Sequence, residues 1–320
     1  MYHGFTDNKV QEGIENYQGK HLSVEKFRSQ IRYLKKHYNV ISLDQYVESC
    51  IKSERLPKNS VVITIDDGYR SNYTLAFPVL KEFDVTATIF LTTDFIENGD
   101  FFLWVDRLEY AINHTASNDL KVEIGDEIFP FALNTYKEKI FCDEFIRLKL
   151  KSKPIEIIEK TIQAIEDKLN IKLSEIPNIP KIYQPLEWNE ILEMIETSNV
   201  DIGSHTHQHL ILTRYDDDVI QNELSLSKNI IDRKININTR LFCYPNGGIG
   251  DFNNKTKQIL KELGYSCGLT TVRGINNQGS DIYELKRFGI DNTDLYSFVL
   301  TVSGLRYLLY NFKNLIKATF

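Results

Sequence analysis

The segment Val61-Val62-Ile63-Thr64-Ile65-Asp66-Asp67-Gly68-Tyr69 gives the clearest indication of the fold of this chain. Its first five residues are all β-branched and almost all apolar, which is typical of a strand buried on both faces of a parallel sheet. Two carboxylates follow where the strand becomes a loop. Burying such a pair costs free energy unless a partner compensates the charge. By themselves, Asp66 and Asp67 fit a helix cap and a surface turn as well as they fit a site.

A second polar segment, Ser204-His205-Thr206-His207-Gln208-His209, holds three of the seven histidines and follows another predicted strand. One helical turn would place His205 and His209 on a common face, whereas a strand would align all three histidines. In parallel α/β folds, functional groups gather at the carboxyl ends of strands. Two histidines, one carboxylate and an open position for water form a catalytic metal site, and nitrogen ligands favour zinc. His207 is the competing histidine ligand.

Strand and helix patterns alternate over most of the chain, which indicates a parallel sheet with covering helices. Together they give six or seven β/α units, a number that approaches a closed barrel. Residues 97–185 interrupt the alternation with a hairpin-like region, a charged helical stretch and a proline-rich loop. We therefore predict one domain, 1–320, with an insertion at about 97–185 that is a candidate lid.

Composition argues against several classes of function. The net charge is −6 and no dense basic run is present, which argues against nucleic-acid binding. The four cysteines are scattered and contain no CxxC pair, so we expect reduced thiols in the core. No signal-peptide pattern and no membrane-spanning apolar stretch is visible, so a cytoplasmic location is expected. The segment at about 294–320 fits either a helix docked on the barrel or an amphipathic helix at the inner face of a membrane.

Three motifs together resemble those of the NodB-homology polysaccharide deacetylases, carbohydrate esterase family 4. Thr64-Ile65-Asp66-Asp67-Gly68 resembles the first motif of that family, and His205-Thr206-x-x-His209 resembles the second. Phe242-Cys243-Tyr244-Pro245-Asn246-Gly247 is similar to a variant of the third. Tyr2-His3 resembles the Tyr-His of the branch that contains the poly-N-acetylglucosamine deacetylases. The resemblance implies a distorted (β/α)7-type barrel and a metal-dependent hydrolase that removes N-acetyl groups from an amino sugar or glycan.

The resemblance also implies a role for each matching residue. Asp67, His205 and His209 would hold a divalent metal, with Zn²⁺ favoured. Asp66 would be the general base that acts on water bound to that metal. A backbone N–H near Asn246 would stabilise the oxyanion.

Where the chain departs from the family pattern, other residues are candidates for the missing roles. Cys243 stands where the family usually has an arginine that orients the base, and Arg287 is the candidate replacement from a neighbouring strand. No histidine follows His209, where the family usually has its general acid, so His3 is the candidate acid. A frayed N-terminal residue is the alternative for His3. Tyr69 fits substrate contact and packing equally well.

An N-acetylated carbohydrate is the expected partner of this site. One alternative function is an amide hydrolase that removes acetyl or formyl groups from a nucleotide- or lipid-linked sugar. Another is a carbohydrate-binding pseudoenzyme that keeps the metal site but lacks the acid. Trp104 and Trp188 fit either a sugar-stacking face or the core, and the core is the commoner role for such residues.

Overall fold

The computed structural model describes residues 1–7, 12–197, 200–290 and 294–308. These residues divide into two compact units. The first unit contains 1–7, 20–96 and the described residues from 185 onward, and the second contains 12–19 and 97–184. The sequence pattern did not assign residues 12–19 to the second unit. The organisation as one domain with a lid stays a prediction.

The first part of the chain supplies short parallel strands and the helices that cover them. The elements are β1 (Gly4–Thr6), β2 (His21–Ser23), α1 (Val24–His37), β3 (Asn39–Val40), α2 (Leu43–Lys52), β4 (Ser60–Val61), β5 (Thr64–Ile65), a π-helical turn (Asn72–Ala76), α3 (Phe77–Phe83), β6 (Ala87–Leu91) and α4 (Thr93–Glu97).

Helix α1 illustrates why the covering helices form. Phe27, Ile31 and Leu34 are spaced by four and three residues, so they fall on one face, and all three are buried. Glu25 lies in the first turn and the basic residues 35–37 lie in the last turn. Both charges match the direction of the helix dipole.

The second unit contains a helical layer and a hairpin. Its elements are α5 (Trp104–His114), β7 (Asp119–Ile124), β8 (Glu127–Ala132), α6 (Tyr136–Leu150), α7 (Ile155–Leu169) and two 3-10 turns (Leu173–Glu175 and Lys181–Tyr183). The hairpin expected near 120–131 is the antiparallel pair β7–β8. Gly125 turns it with a φ of 65°, a conformation that favours glycine. The charged helical stretch is two helices, since Pro154 cannot continue the first.

The last part of the chain returns to the first unit. Its elements are α8 (Trp188–Glu196), β9 (Val200–Ser204), a 3-10 turn (Leu212–Arg214), α9 (Asp217–Ile235), α10 (Asn254–Glu262) and α11 (Leu295–Val302). The predicted segment 294–320 is described only as far as residue 308, and its remainder lies outside the described residues. None of the helices described is both long and apolar enough to cross a membrane.

A parallel three-stranded sheet, β5–β6–β9, positions the site. Ile65 pairs with Ile89, and Leu91 pairs with Ser204. The predicted continuous strand over 61–65 is wrong, because β4 pairs with β3 whereas β5 pairs with β6. An apolar run shows that a strand is buried, but it does not show which strand lies beside it.

Single parallel bridges extend this sheet on both sides. They join Tyr2 to Ile65, Ser204 to Phe242, Cys243 to Leu269, and Leu269 to Leu285. Residues 240–244 and 267–271, whose sequences are also typical of strands, contribute only these bridges. The regular strands of the described residues therefore form no closed sheet, and the closed barrel stays a prediction.

Gly203 provides a test of the packing around β9. A Cβ atom at this position would lie 2.5 Å from two ring carbons of Phe90 and 2.9 Å from the carbonyl oxygen of Leu241. We expect Gly203→Ala to lower the free energy of unfolding by about 1–3 kcal/mol, measured by urea denaturation. Gly99→Ala is the matched control, because no heavy atom lies within 4 Å of its added methyl group. Equal losses in the two variants would contradict this account of the packing.

Candidate active site

Asp66 and Asp67 follow β5 and are both buried, with exposed fractions of 2% and 4%. Asp66 continues the parallel pairing, because its N–H donates to the carbonyl of Tyr2 at 2.9 Å. Asp67 adopts the left-handed conformation with a φ of 77°, and Gly68 follows with a φ of 92°. The chain turns sharply here, and the two carboxylates contact different partners.

Arg287 holds the carboxylate of Asp66 with two hydrogen bonds. Nη1 and Nη2 each donate to one carboxylate oxygen at 2.8 Å. The guanidinium is itself fixed by the carbonyl of Thr270 at 2.8 Å and the hydroxyl of Thr64 at 3.1 Å. Burial would raise the pKa of Asp66, but Arg287 outweighs this and lowers it to about 2. Asp66 therefore stays ionised at neutral pH, and Arg287 occupies the position expected of an orienting residue.

Cys243 borders the same guanidinium. Its Sγ lies 2.9 Å from Nη2 of Arg287 and 3.6 Å from Oδ2 of Asp66. Burial raises the pKa of this thiol well above its ordinary value, although Arg287 opposes the shift. The small thiol side chain leaves the space beside Asp66 to an arginine that comes from another segment.

Asp67, His205 and His209 bring together three ligand atoms that lie within 4.8 Å of one another. Oδ1 of Asp67 is 3.6 Å from Nε2 of His205 and 3.5 Å from Nε2 of His209. Burial would raise the pKa of Asp67, but the hydrogen bond with His209 and the charge of His3 lower it. Two imidazole nitrogens and a carboxylate oxygen suit a divalent metal such as zinc.

The other nitrogen of His205 is held by the backbone. Nδ1 lies 2.8 Å from the carbonyl oxygen of Cys243, so it donates a proton there and leaves the Nε2 lone pair towards Asp67. Burial lowers the pKa of His205 to about 4, which keeps the ring neutral at neutral pH. A neutral imidazole with a fixed tautomer is the form that binds a metal.

Asp66, His205 and Cys243 form a second cluster of ligand atoms. Arg287 contacts both Asp66 and Cys243 in this cluster, so a permanent positive charge already stands beside two of its three members. A divalent cation is therefore disfavoured there. The cluster around Asp67 is the candidate metal site.

His207 points to another set of groups. Its Nδ1 lies 2.9 Å from Oγ1 of Thr93, and its Nε2 lies 3.9 Å from a carboxylate oxygen of Asp94. Nδ1 is thus within hydrogen-bond distance of Thr93, and the cluster of ligand atoms around Asp67 does not include His207. The structure thus separates His207 from the two histidines of the candidate metal site.

His3 follows Tyr2, whose backbone pairs with the strand that leads to the aspartates. The N–H of Tyr2 donates to the carbonyl of Thr64, and its carbonyl accepts from the N–H of Asp66, both at 2.9 Å. Burial lowers the pKa of His3, while the charges of Asp67 and Asp66 oppose the shift. These contacts argue against a frayed residue, and the role of His3 as an acid stays a prediction.

Tyr69 is fully buried, with an exposed fraction of 0%. Its ring packs against His21 and Phe95, with centroids 4.7 and 5.4 Å away, and its hydroxyl accepts a hydrogen bond from Lys20 at 2.6 Å. These contacts favour the packing alternative over contact with substrate. Trp104 and Trp188 also pack against hydrophobic clusters, as the core alternative predicts.

Asn246 lies three residues after Cys243, in a turn with a φ of 58°. Its carbonyl accepts a hydrogen bond from the hydroxyl of Thr271 at 2.6 Å, which fixes the turn. Its role near an oxyanion stays a prediction. Sequence reasoning missed the supporting roles of Thr64, which lies inside the first motif, and of Thr270 and Glu223, which lie outside the motifs. A polar residue on the buried face of α9 was the available signal for Glu223.

A model of the polysaccharide deacetylase family matches residues 53–141 and 147–268 of the chain. The chain belongs to this family. Poly-beta-1,6-N-acetyl-D-glucosamine N-deacetylase of Staphylococcus epidermidis is 37% identical over 89 residues, which cover 28% of this chain and 29% of that protein. The Escherichia coli K12 protein of the same name is 23% identical over 251 residues, 78% of this chain and 31% of that protein. The matches therefore span less than a third of either relative.

Solved structures of deacetylases share the fold. The Streptococcus pyogenes deacetylase PplD, in complex with acetate, superposes with a TM-score of 0.61 at 20% identity, covering 94% of this chain and 96% of that chain. The deacetylase domain of BpsB from Bordetella bronchiseptica gives a TM-score of 0.52 at 18% identity, with coverage of 89% and 92%. The resemblance inferred from the motifs is confirmed at the level of family and fold.

Removal of the Arg287 charge should destabilise the folded chain. We expect Arg287→Met to lower the free energy of unfolding at neutral pH by about 3–5 kcal/mol, because it leaves Asp66 buried and unpaired. The loss should shrink as the pH falls below 3.8, the ordinary value for Asp66, towards its lowered pKa of about 2. Over that range the wild type also loses the stabilisation that the ionised carboxylate provides.

Urea denaturation at several pH values measures this effect. The double variant Asp66→Asn/Arg287→Met is the matched control, because it removes both charges and should recover part of the stability. A double variant less stable than Arg287→Met alone would contradict the ion-pair account.

Proposed function

We propose that this chain is a metal-dependent hydrolase that removes N-acetyl groups from the N-acetylglucosamine units of a polysaccharide. The observation that carries the proposal is the Asp67–His205–His209 cluster beside an aspartate held by Arg287. Membership of the polysaccharide deacetylase family supports the reaction class, and the names of the relatives support the sugar. The relatives give no support to a membrane contact, so none is part of this proposal.

A distorted (β/α)7-type barrel is the architecture that we infer around this site. Seven segments support it: residues 1–2, β5, β6, β9, 242–243, 269 and 285–290. The N–H of Ile290 donates to the carbonyl of Met1 at 3.1 Å, which returns the last segment to the first. Such a closure would place the ends of all seven segments around one pocket.

Asp67, His205 and His209 would hold the divalent metal, with Zn²⁺ favoured by their two nitrogen ligands. When bound, the metal would polarise the acetamide carbonyl and lower the pKa of a coordinated water. The fixed tautomer of His205 and the ionised state of Asp67 prepare both residues for this role.

The remaining groups of the site would move the protons. As the oxygen of water attacks the acetamide carbon, Asp66 accepts the proton that the water loses. The C–N bond then breaks, and His3 donates a proton to the leaving nitrogen, so that acetate and a free amine are released. A lowered pKa makes the protonated His3 a stronger acid. A backbone N–H near Asn246 would stabilise the negative charge on the carbonyl oxygen.

The alternative functions differ in their products. A pseudoenzyme was suggested by the arginine missing at Cys243 and by the uncertain acid. Arg287 binds Asp66, and the charges of Asp66 and Asp67 act on His3, which weakens both reasons. Release of acetate from poly-β-1,6-N-acetylglucosamine and from chitooligosaccharides supports the proposal. Release of formate, or activity only on nucleotide- or lipid-linked sugars, supports the other hydrolase.

Asp66→Asn tests the base assignment. The amide keeps the shape of the side chain but cannot accept the proton, so we expect kcat for acetate release to fall by about 10²- to 10⁴-fold. Zinc content, measured by mass spectrometry, should stay at the wild-type level. Asp126→Asn makes the same chemical change on an exposed residue and serves as the control. Full activity in Asp66→Asn would refute the assignment.

His209→Ala tests the metal assignment, with His207→Ala as its matched control. Loss of a direct ligand should weaken zinc binding by more than about 100-fold, beyond the effect usual for residues that only support ligands. His207→Ala should weaken it by less than about tenfold. Isothermal titration calorimetry measures both affinities. Equal losses in the two variants would show that the ligand set is wrong.

A further inference from the structure

Helix α9 presents two polar side chains to the loop that carries the candidate metal ligands. Glu223 and Ser227 are one helical turn apart, so they share a face of the helix. Both are buried, with exposed fractions of 4% and 0%. Burial of a carboxylate is unfavourable unless it is hydrogen-bonded, so hydrogen bonds must compensate the burial of Glu223.

Glu223 accepts two backbone hydrogen bonds from the middle of the loop. Its Oε2 lies 3.1 Å from the nitrogen of His207 and 2.9 Å from the nitrogen of Gln208. The hydroxyl oxygens of Ser227 and Ser204 are 2.8 Å apart at the start of the loop. One helix face thus holds the loop at two points.

Residues with positive φ lie on either side of the two N–H groups that Glu223 binds. Thr206 has a φ of 67° and His209 has a φ of 59°. A β-branched residue at positive φ is a genuine outlier and persists only where its surroundings enforce it. The hydrogen bonds of Glu223 act on the two residues between these positions.

The carbonyl groups of the same loop accept hydrogen bonds from the first two residues of α4. The N–H of Thr93 donates to the carbonyl of Thr206 at 3.2 Å, and the N–H of Asp94 donates to that of His207 at 2.9 Å. Thr93 and Asp94 donate to the carbonyl groups of the loop, whereas Glu223 accepts hydrogen bonds from its N–H groups. The course of the loop from His205 to His209 therefore depends on a carboxylate outside the ligand set.

We propose that Glu223 is a positioning residue that sets the metal affinity of His205 and His209 by fixing the loop between them. The inference rests on the proposed function, because it assumes that these histidines bind the metal. Without the carboxylate, two buried N–H groups lose their acceptor, and the loop can relax away from its left-handed residues. The histidine nitrogens would then no longer be held at the distances that bring them together with Asp67.

Zinc affinity of the full chain, measured by calorimetry, tests the proposal. Glu223→Ala should bind zinc about 10- to 100-fold more weakly than the wild type. Glu223→Gln keeps an oxygen that can accept both hydrogen bonds, so its affinity should stay within about threefold. The absorption spectrum of the Co²⁺-loaded protein reports the coordination geometry and should change in the alanine variant but not in the glutamine variant.

Two further variants separate positioning from general stability. Leu224→Ala removes a buried neighbour on the same helix that has no part in the loop contacts, and it should lower the melting temperature without changing zinc affinity. Glu223→Asp keeps the charge but shortens the reach, so it should lose affinity as the alanine variant does. If the alanine variant does not fold, the aspartate and glutamine variants decide the question.

The outcomes distinguish this inference from the proposed function. If the wild-type chain binds zinc and the Glu223→Ala and Glu223→Asp variants bind it as tightly as the wild type, the positioning role is overturned but the metal site is not. Loss of affinity in Leu224→Ala to the same extent as in Glu223→Ala also overturns it. A wild-type chain that binds no zinc refutes the metal site itself and with it the proposed function.

Discussion

The buried ion pair between Asp66 and Arg287 is the interaction on which the rest of the site depends. Two adjacent carboxylates at the end of a buried strand repel each other, and burial favours their neutral forms. Arg287 compensates the first carboxylate through two hydrogen bonds and keeps it ionised. The turn at Asp67 directs the second carboxylate towards the histidines. Each aspartate thus has its own compensating partner, which is what the proposed roles of base and metal ligand require of two neighbours in sequence.

Backbone strain is distributed unevenly in this molecule. At helix C-termini the left-handed residues are Ser53, Asp84, Asn170 and Asn236. Three of these four are Asp or Asn, which tolerate positive φ because their short side chains can hydrogen-bond to the nearby backbone. Around the site the left-handed residues are Asp67, Thr206, His209 and Asn246. Thr206 differs from the others, because a β-branched residue rarely adopts positive φ, and contacts such as those of Glu223 hold the segment that follows it.

Local sequence patterns predicted the strand ends and the polar residues that follow them. The aspartates and His205 with His209 were identifiable because each motif is short and follows an apolar run. The division of 61–65 between two strands was not predictable, since both halves are equally apolar and differ only in their distant partners. The assignment of residues 12–19 to the second unit also depends on distant partners, because the N–H of Ile14 donates to Asn113 and the N–H of Asn16 donates to Glu109. Glu223 carries no motif, and its function depends on a loop that precedes it in sequence but contacts it only in the fold.

The pairing of Cys243 with Arg287 shows why a site is better compared by position in space than by position in a motif. At position 243 an arginine would have to share the space that the guanidinium of Arg287 fills. A small residue at position 243 therefore leaves room for an arginine of the neighbouring segment to reach Asp66. Considered alone, Cys243 suggests a damaged third motif. Considered with the bidentate contact that Arg287 makes with Asp66, it indicates that the cation beside this carboxylate comes from the neighbouring segment.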